Sequence, residues 1–160
     1  MRGSTLIFAA AVVVVALVSA PAASAGPRLN AFEREVIAEL NNARAQHGLA
    51  SLRPSRGLNR AADRHSRDML LRDFFDHPSS DGTPFDRRVR NYARAGIVGE
   101  TLAALPQRRG GADAVVQMWL QSPAHRAIVL DPRLTRIGLG RRWGTLGSTQ
   151  TAVVTADFAS

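Results

Sequence analysis

The chain has 160 residues, no cysteine and a formal net charge of +8, and all 21 of its basic residues are arginine. Without cysteine the fold must hold by packing and not by disulfides, and the length suits one domain with its own core. The positive charge favours anionic partners such as lipid headgroups, acidic wall polymers or nucleic acid, but a biased genome composition also produces lysine-free, arginine-rich chains.

The N-terminal segment predicts a removable export signal. Arg2 supplies a small positive region, residues 6–18 form a short apolar run, and Ala23-Ser24-Ala25 fits the small-x-small cleavage pattern. The run is too short for a comfortable bilayer span, and a retained N-terminal anchor is the alternative. We predict a signal peptide over residues 1–25, a mature domain over residues 26–160, and a secreted, extracellular or periplasmic protein with no membrane span after cleavage.

The first helix is predicted to begin at Asn30, because Asn30 and Glu33 have the spacing of a capping box. His47-Gly48 is predicted to end this helix, with the glycine in the left-handed conformation. The inner face is predicted from residues that recur at helical spacing, namely Phe32, Val36, Leu40 and Ala43.

A second helix is predicted over about residues 58–74. Its outer face mixes arginine with aspartate, which is typical of a solvated surface and not of nucleic-acid contact. The inner face is predicted to carry Leu58, Ala61, Ala62, His65 and Met69. A histidine on an inner face is most often a hydrogen-bonded core residue, and a role in a functional site is the alternative for His65.

A third, more polar helix is predicted over residues 84–94, and the first strand over residues 97–105. The alternation of a strand puts Val98, Glu100 and Leu102 on the same side of the sheet. A lone carboxylate on an otherwise apolar face is costly unless it is paired or protonated. We therefore expect an arginine, a histidine or a metal ion beside Glu100.

Residues 115–130 predict a helix, a sharp corner and a second helical turn. Ser122 is expected to cap the new helix with its side chain, and Pro123 suits the first helical position because its missing N–H would be unpaired there. His125 would then lie in the first turn. A side chain at such an element end is rigid and still reachable from a cleft.

Two strands are predicted near the C-terminus, over residues 134–143 and 150–158, with a hairpin loop at residues 144–147. Gly138 and Gly140 lie on the side opposite the apolar residues of the first of these strands, where another backbone or a ligand could approach closely. Because helices come first and antiparallel strands last, the chain is predicted to be an α+β domain with helices packed on a small sheet.

Short motifs follow one another in a specific order along nearly the whole mature chain. In order, they are Asn41-Asn42-Ala43-Arg44, Ala61-Ala62 with His65-Ser66, Phe75-Asp76-His77, Gly99-Glu100, Trp119 with Ser122-Pro123-Ala124-His125-Arg126, Ile137-Gly138-Leu139-Gly140, and Asp157-Phe158. Together they resemble the bacterial, SCP-like extracellular branch of the CAP superfamily, which groups cysteine-rich secretory, antigen 5 and pathogenesis-related proteins. The resemblance implies a three-layer α-β-α sandwich with a small mixed, mainly antiparallel sheet.

The resemblance also implies a central cleft that two histidines and two acidic residues line in many members. Carried over to this chain, the histidines are His77 and His125 and the first acid is Glu100, while Ser122 stands where the second acid usually lies. These three residues are the predicted ligand or metal site, with zinc as the metal that the resemblance implies. A hydrogen-bonded His–Glu–His cluster without metal is the alternative. Around the cleft we expect Ser122, Asp157 and His65.

Three classes of function remain open. We predict a secreted binding module, with no catalytic residue assigned, for a divalent metal, a small apolar ligand of the lipid or sterol kind, or both. One alternative is a hydrolase that uses either a metal-activated water or Ser122 with His125 and Glu100, although Ser122 lacks the G-x-S-x-G elbow. The other is a cell-envelope interaction protein that binds an anionic component through its arginines. We expect a monomer without a nucleic-acid partner, and the sequence leaves open whether it is an enzyme.

Overall fold

A computed structural model describes residues 28–106 and 111–160. The predicted signal peptide, residues 1–25, lies outside these ranges. Within them, no helix combines the length and the apolar character that a membrane crossing requires.

Helices and strands are interleaved along the described chain. The helices are α1 (Ala31–Gln46), α2 (Arg56–Arg72), α3 (Phe85–Arg90), α4 (Ala112–Gln121) and α5 (Pro123–Val129). The strands are β1 (Arg53–Pro54), β2 (Val98–Pro106), β3 (Arg136–Leu146) and β4 (Thr149–Ala159).

The four strands form one mixed sheet in the order β1-β3-β4-β2. Strands β2, β3 and β4 pair antiparallel, whereas the two-residue strand β1 pairs parallel to β3. The sequence did not predict β1, because two residues inside a short connection have no period of their own. The mixed, mainly antiparallel sheet that the resemblance implies is confirmed.

Helices cover both faces of the sheet. On one face, α1 and α4 pack on the sheet in a cluster that includes Trp119, Val154 and Phe158. On the other face, α2 lies directly on β3 because two glycines leave room for it. A Cβ on Gly138 would lie 2.0 Å from the backbone carbon of Leu58, and one on Gly140 would lie 2.3 Å from the nitrogen of Asp63. The predicted close approach at these glycines and the three-layer sandwich are both confirmed.

Most predicted element ends agree with the structure within a few residues. Helix α1 begins with the complete Asn30–Glu33 capping box, and Gly48 follows its end with a φ of 68°. Helix α2 begins two residues earlier than predicted because Ser55 caps it. Helix α3 stops at Arg90 instead of residue 94. The hairpin turn is shorter than predicted, since β3 and β4 run to Leu146 and from Thr149.

The predicted capping role of Ser122 is wrong in one respect. Ser122 is both the C-cap residue of α4 and the N-cap residue of α5, and Pro123 is the first residue of α5. Its side chain, however, makes no capping hydrogen bond. The first hydrogen bond of α5 is made by the backbone instead, because the amide of Arg126 donates to the carbonyl oxygen of Ser122 at 2.8 Å.

Arg44 connects the end of α1 to the segment after α5. Its side chain is fully buried, and its guanidinium donates to the carbonyl oxygens of Ala50 at 2.8 Å, Val129 at 2.7 Å and Leu134 at 3.0 Å. The charge is therefore spread over several carbonyl dipoles instead of one carboxylate. This arrangement fixes where α5, the helix that carries His125, lies on the domain.

Candidate functional site

The candidate site is centred on Glu100, which is fully buried near the start of the edge strand β2. The structure confirms the predicted alternation, because Glu100 points to the face that α2 covers, together with Leu102. The Nδ1 atom of His77, in the loop after α2, donates to Oε1 of Glu100 at 2.7 Å. The predicted meeting of these two residues is therefore present.

Arg88 holds the other side of Glu100. Its Nη2 atom donates to Oε2 of Glu100, and its Nη1 atom donates to the carbonyl oxygen of His77 at 2.8 Å and to Oγ of Ser79 at 3.1 Å. The arginine is buried, so little solvent screens the ion pair. Glu100, His77 and Arg88 together are called the Glu100 clamp below.

The sequence required a partner for Glu100 but did not identify Arg88. The expectation named arginine, histidine or a metal ion, and the structure supplies both an arginine and a histidine. The sequence offered one indication that Arg88 is buried: it precedes the apolar Val89 in a short helix. Three other arginines flank it, at positions 87, 90 and 94, so composition could not distinguish it.

The Glu100 clamp sets the protonation of His77. The hydrogen bond to Glu100 raises the pKa of His77 above its ordinary value, against an opposing effect of burial. The ring is 45% exposed, and its Nε2 atom makes no hydrogen bond to any described residue. One edge of the imidazole is thus fixed by the carboxylate, while the other edge stays available to a ligand.

His125 lies in the first turn of α5, as predicted, and is half buried. Burial is the larger cause that lowers the pKa of His125, and the charge of His77 lowers it further. The two imidazoles therefore interact electrostatically. The Nδ1 atom of His125 is buried and has no hydrogen-bond partner. In the described chain, no hydrogen bond joins His125 to Glu100, so of the two histidines only His77 contacts the acid directly.

Asp157 is the neighbour of Glu100 in the β2–β4 ladder and is completely buried. Burial raises the pKa of Asp157 well above its ordinary value, and the negative charge of Glu100 raises it further. Neither carboxyl oxygen has a hydrogen-bond partner of good geometry. Both effects favour the neutral form of Asp157, which lies beside the clamp.

Of the two further residues predicted around the cleft, His65 is buried and hydrogen-bonded, whereas the Ser122 side chain is not bonded to the clamp. His65 is 1% exposed on the inner face of α2, and its Nε2 atom bonds to the carbonyl oxygen of Asp76 at 2.9 Å. Burial, followed by the charge of Arg88, lowers the pKa of His65, which favours the neutral ring. The Ser122 side chain, by contrast, makes no hydrogen bond to any described residue of the clamp.

The three-residue metal set does not fit this arrangement. Within residues 28–106 and 111–160, no three histidine, aspartate or glutamate side chains are grouped so that they could hold a metal ion. The contacts of Glu100 give the reason, because one of its oxygens accepts from His77 and the other from Arg88. The imidazoles of His77 and His125 remain as two donors, and a zinc ion on them would need further ligands from outside the chain.

Comparison with known proteins agrees with the fold and the order of the motifs. Residues 37–157 match the CAP family, the cysteine-rich secretory protein family, and the chain belongs to this family. Among curated sequences, the chain is 32% identical over 118 residues to the uncharacterized protein YkwD of Bacillus subtilis strain 168. It is 30% identical over 109 residues to the uncharacterized membrane protein YlbC of the same strain. These matches cover 73% and 68% of this chain but only 45% and 31% of those proteins.

Solved structures show the same fold at lower identity. An extracellular protein with an SCP domain from Bacillus anthracis str. Ames matches with a TM-score of 0.67 and 24% identity, over 79% of this chain and 39% of that one. An outer surface protein from Borrelia burgdorferi matches with a TM-score of 0.65 and 19% identity, over 84% of this chain and 98% of that one. Both similar proteins are extracellular or surface proteins by their names.

Proposed function

We propose that this CAP domain is an exported binding module whose cleft, at His77 and His125, takes a small, mainly apolar molecule with one polar head group. The observation that carries the proposal is the Glu100 clamp. It holds one imidazole in a fixed orientation with its Nε2 edge open, which is how a binding site is preorganised.

The two imidazoles suit a hydroxyl or carboxyl head group. His77 has a raised pKa and so tends to donate, whereas His125 has a lowered pKa and so tends to accept. A hydroxyl or carboxyl group can accept from one ring and donate to the other. Apolar surface is also close at hand, because the Phe85 ring centre is 6.0 Å from that of His77.

Helix α5 also contributes to an apolar groove of about 440 Å³. Leu120, Pro123, Ala127 and Leu130 line this groove together with Arg126. An apolar floor with a single cation at its side is the chemistry that a fatty acid requires. Neither His77 nor His125 lines this groove, so it supports an apolar ligand on α5 separately from the His77–His125 cleft.

A hydrolase is not what the geometry favours. A metal-assisted route would need Glu100 as a free base, and a serine route would need it to orient His125. Both Glu100 oxygens are hydrogen-bonded to His77 and Arg88 instead. We therefore assign no catalytic residue and propose a binding function.

Binding of defined probes tests the proposal. The mature protein is titrated with a fluorescent fatty acid and a fluorescent sterol, and we expect saturable binding of at least one. His77→Ala and His125→Ala should each weaken it about tenfold, the effect of one lost hydrogen bond to a charged or buried group. His47→Ala is the matched control for the cleft, because His47 is an exposed histidine at the end of α1 that contacts Ala43 and Arg126 but neither cleft histidine. Equal binding by all three variants would contradict the proposal.

The zinc ion stays a prediction, with His77 and His125 as its proposed ligands and Glu100 reassigned to orienting His77. Zinc should raise the melting temperature of the parent protein but not of the His77→Ala/His125→Ala double variant. The rise should be modest, because two imidazoles are half of the usual tetrahedral set. A rise of equal size in both proteins would place the metal elsewhere.

One observation favours a second role, the binding of an anionic envelope component. Arg28, Arg56, Asn59 and Arg60 line a surface cavity of about 380 Å³ with no acidic residue on its wall. Guanidinium groups match phosphate and carboxylate oxygens in geometry. We expect polyphosphate binding that weakens with added salt and is reduced in Arg60→Ala more than in Arg87→Ala, which removes an equal charge from the exposed side of α3. Equal losses would indicate a diffuse charge effect and no site.

A further inference from the structure

Strand β3 is covered by a neighbouring strand along only part of one side. The two-residue strand β1 pairs with β3 at Arg136 and Ile137, whereas β3 continues to Leu146. In the described chain no other strand lies on this side, because the sheet order is β1-β3-β4-β2. We call the side of residues 142–146 that faces away from β4 the open edge.

Hydrogen bonds near β1 show which residues of β3 turn their backbone groups away from β4. The carbonyl oxygen of Ile137 accepts from the amide of Ser55 at 2.8 Å, and the amide of Leu139 donates to Oδ1 of Asn59 at 3.3 Å. The pairing of β3 with β4 continues without a bulge to the hairpin. Because a strand alternates, every second residue after Leu139 therefore turns its backbone groups to the same side.

Trp143 and Thr145 are thus the residues that present amide and carbonyl groups at the open edge. Among the described residues, neither backbone has a hydrogen-bond partner on this side. Trp143 is 45% exposed and Thr145 is exposed too, so an incoming chain can reach them. A strand edge of this kind is a template for pairing with another extended segment.

The face of the sheet that α2 covers is basic beside the open edge. Arg142 is exposed on this face and donates to Oδ2 of Asp63 at 2.5 Å. Helical spacing puts Arg60 and Arg67 on the same side of α2 as Asp63. Both arginines are exposed and form no ion pair with any described residue. Arginines outnumber the carboxylate in this group, so it attracts acidic side chains.

The opposite face is aromatic beside the open edge. The guanidinium carbon of Arg141 lies 3.7 Å from the ring centre of Phe32 and 5.2 Å from the ring centre of Trp143. This stack holds the exposed indole at the border of the sheet. An apolar side chain on an adjacent strand would pack against the indole, because aromatic and β-branched residues form favourable cross-strand pairs.

A second copy of this chain is a poor match for the open edge. Pairing two copies through β3 would bring the basic side of one α2 towards that of the other. The whole chain also carries a formal net charge of +8, so like charges would meet across such an interface. An acidic segment meets the opposite charge at the same place.

We propose that the open edge of β3 binds an extended peptide as an added strand, with acidic side chains on the face of α2 and apolar side chains on the face of Trp143. The backbone of Trp143 and Thr145 holds the peptide, and Arg60, Arg67 and Arg142 select its charge. The open edge and the edge strand β2 lie on opposite sides of the sheet. The proposal therefore does not rest on the His77–His125 cleft.

Amide hydrogen exchange with a defined probe tests the proposal. The probe is a short synthetic peptide with blocked ends that alternates valine and glutamate. At saturation the exchange of the Trp143 and Thr145 amides should slow about tenfold or more, because both become hydrogen-bonded. The amides of Arg142 and Gly144 face β4 and should keep their exchange rates.

Two controls separate strand pairing from attraction between charges. The same peptide methylated on its backbone nitrogens keeps its charge but cannot pair as a strand, and it should bind about tenfold more weakly. Thr145→Pro removes the amide at the open edge and should weaken binding of the unmethylated peptide by a similar factor. Thr145→Val is the matched control, because it keeps this amide and the strand.

Equal binding of the methylated and unmethylated peptides would overturn the proposal, since charge alone would then explain the binding. Unchanged exchange of Trp143 and Thr145 would overturn it as well, and this measurement on the unaltered protein does not depend on the folding of Thr145→Pro. Slow exchange of both amides in a free protein of dimeric mass would assign the open edge to a second copy instead. His77→Ala and His125→Ala should bind the peptide like the parent, which keeps this test independent of the cleft.

Discussion

Glu100 and Asp157 are direct neighbours across the β2–β4 ladder, and both carboxyl side chains are shielded from solvent. Two carboxylates so placed cannot both be ionised at low cost, because burial and mutual repulsion act in the same direction. The two basic side chains beside this pair, His77 and Arg88, both contact Glu100 and not Asp157. The pKa of Asp157 is raised in this pair, by burial first and by the charge of Glu100 second.

The first prediction concerns Asp157→Asn. A carboxyl whose folded pKa is raised contributes stability that is present below its unfolded pKa and lost as the pH rises through the folded value. The parent should therefore lose stability between acidic and neutral pH through Asp157, and Asp157→Asn should lose less. Urea unfolding at both pH values measures the difference. Asp131→Asn is the control of opposite sign, since a hydrogen bond from Arg133 lowers the pKa of Asp131.

The second prediction concerns Arg88. Arg88→Ala should destabilise the fold by about 3–5 kcal/mol, because it leaves the buried Glu100 without its main counter-charge. The double change Arg88→Met with Glu100→Gln should recover part of this loss, since both charges leave together. Urea unfolding of the set checks it. A double variant no more stable than Arg88→Ala would contradict the view that the unpaired charge of Glu100 causes the loss.

A third prediction concerns the titration of the two cleft histidines. In Glu100→Gln the pKa of His77 should fall, because the charged acceptor at Nδ1 is gone. The pKa of His125 should rise slightly, since a less charged His77 repels its proton less. The stability that His77 draws from its raised pKa is present below the unfolded pKa and lost as the pH rises through the folded one. Side-chain resonance titrations measure both; unchanged values would separate Glu100 from the histidines.

The fourth prediction tests the contact between α2 and β3. Gly140→Ala should cost at least about 1–3 kcal/mol, because the new methyl group would meet the backbone of α2, which cannot rotate away. Gly96→Ala is the control, since its nearest neighbour would be Ser160 Oγ at 3.9 Å. Thermal unfolding of the two variants decides it. Similar melting temperatures would mean that α2 is not held against β3 as described.

The fifth prediction compares two cap positions. Asn30→Ala removes a complete capping box and should cost about 1 kcal/mol. Ser122→Ala removes a hydroxyl that caps nothing and should cost clearly less. Denaturant unfolding of both variants measures the two losses side by side. An equal loss at Ser122 would mean that its hydroxyl makes a bond in solution.

The motif order predicts that His77 and His125 both meet Glu100, and the structure pairs only His77 with this acid. The need for a partner at Glu100 follows from strand alternation. Arg88 was not predictable, since its role depends on how a short helix of six residues lies against β2. Arg88 also occupies the Glu100 oxygen that His77 leaves open. The sequence alone could therefore not exclude a metal site made of His77, Glu100 and His125.

The sequence by itself determined the features that depend on residues within about one helical turn or one strand repeat: the Asn30 cap, the inner face of α2 and the side to which Glu100 points. Only the tertiary structure decided the pairing of β1 with β3, the burial of Arg44 and the clamp on Glu100. Each of these joins groups far apart in the chain, such as Arg44 and Leu134, which are 90 residues apart. The physical reason is that local patterns set the conformation and facing of each segment, whereas the partner of a buried charge depends on how whole segments pack.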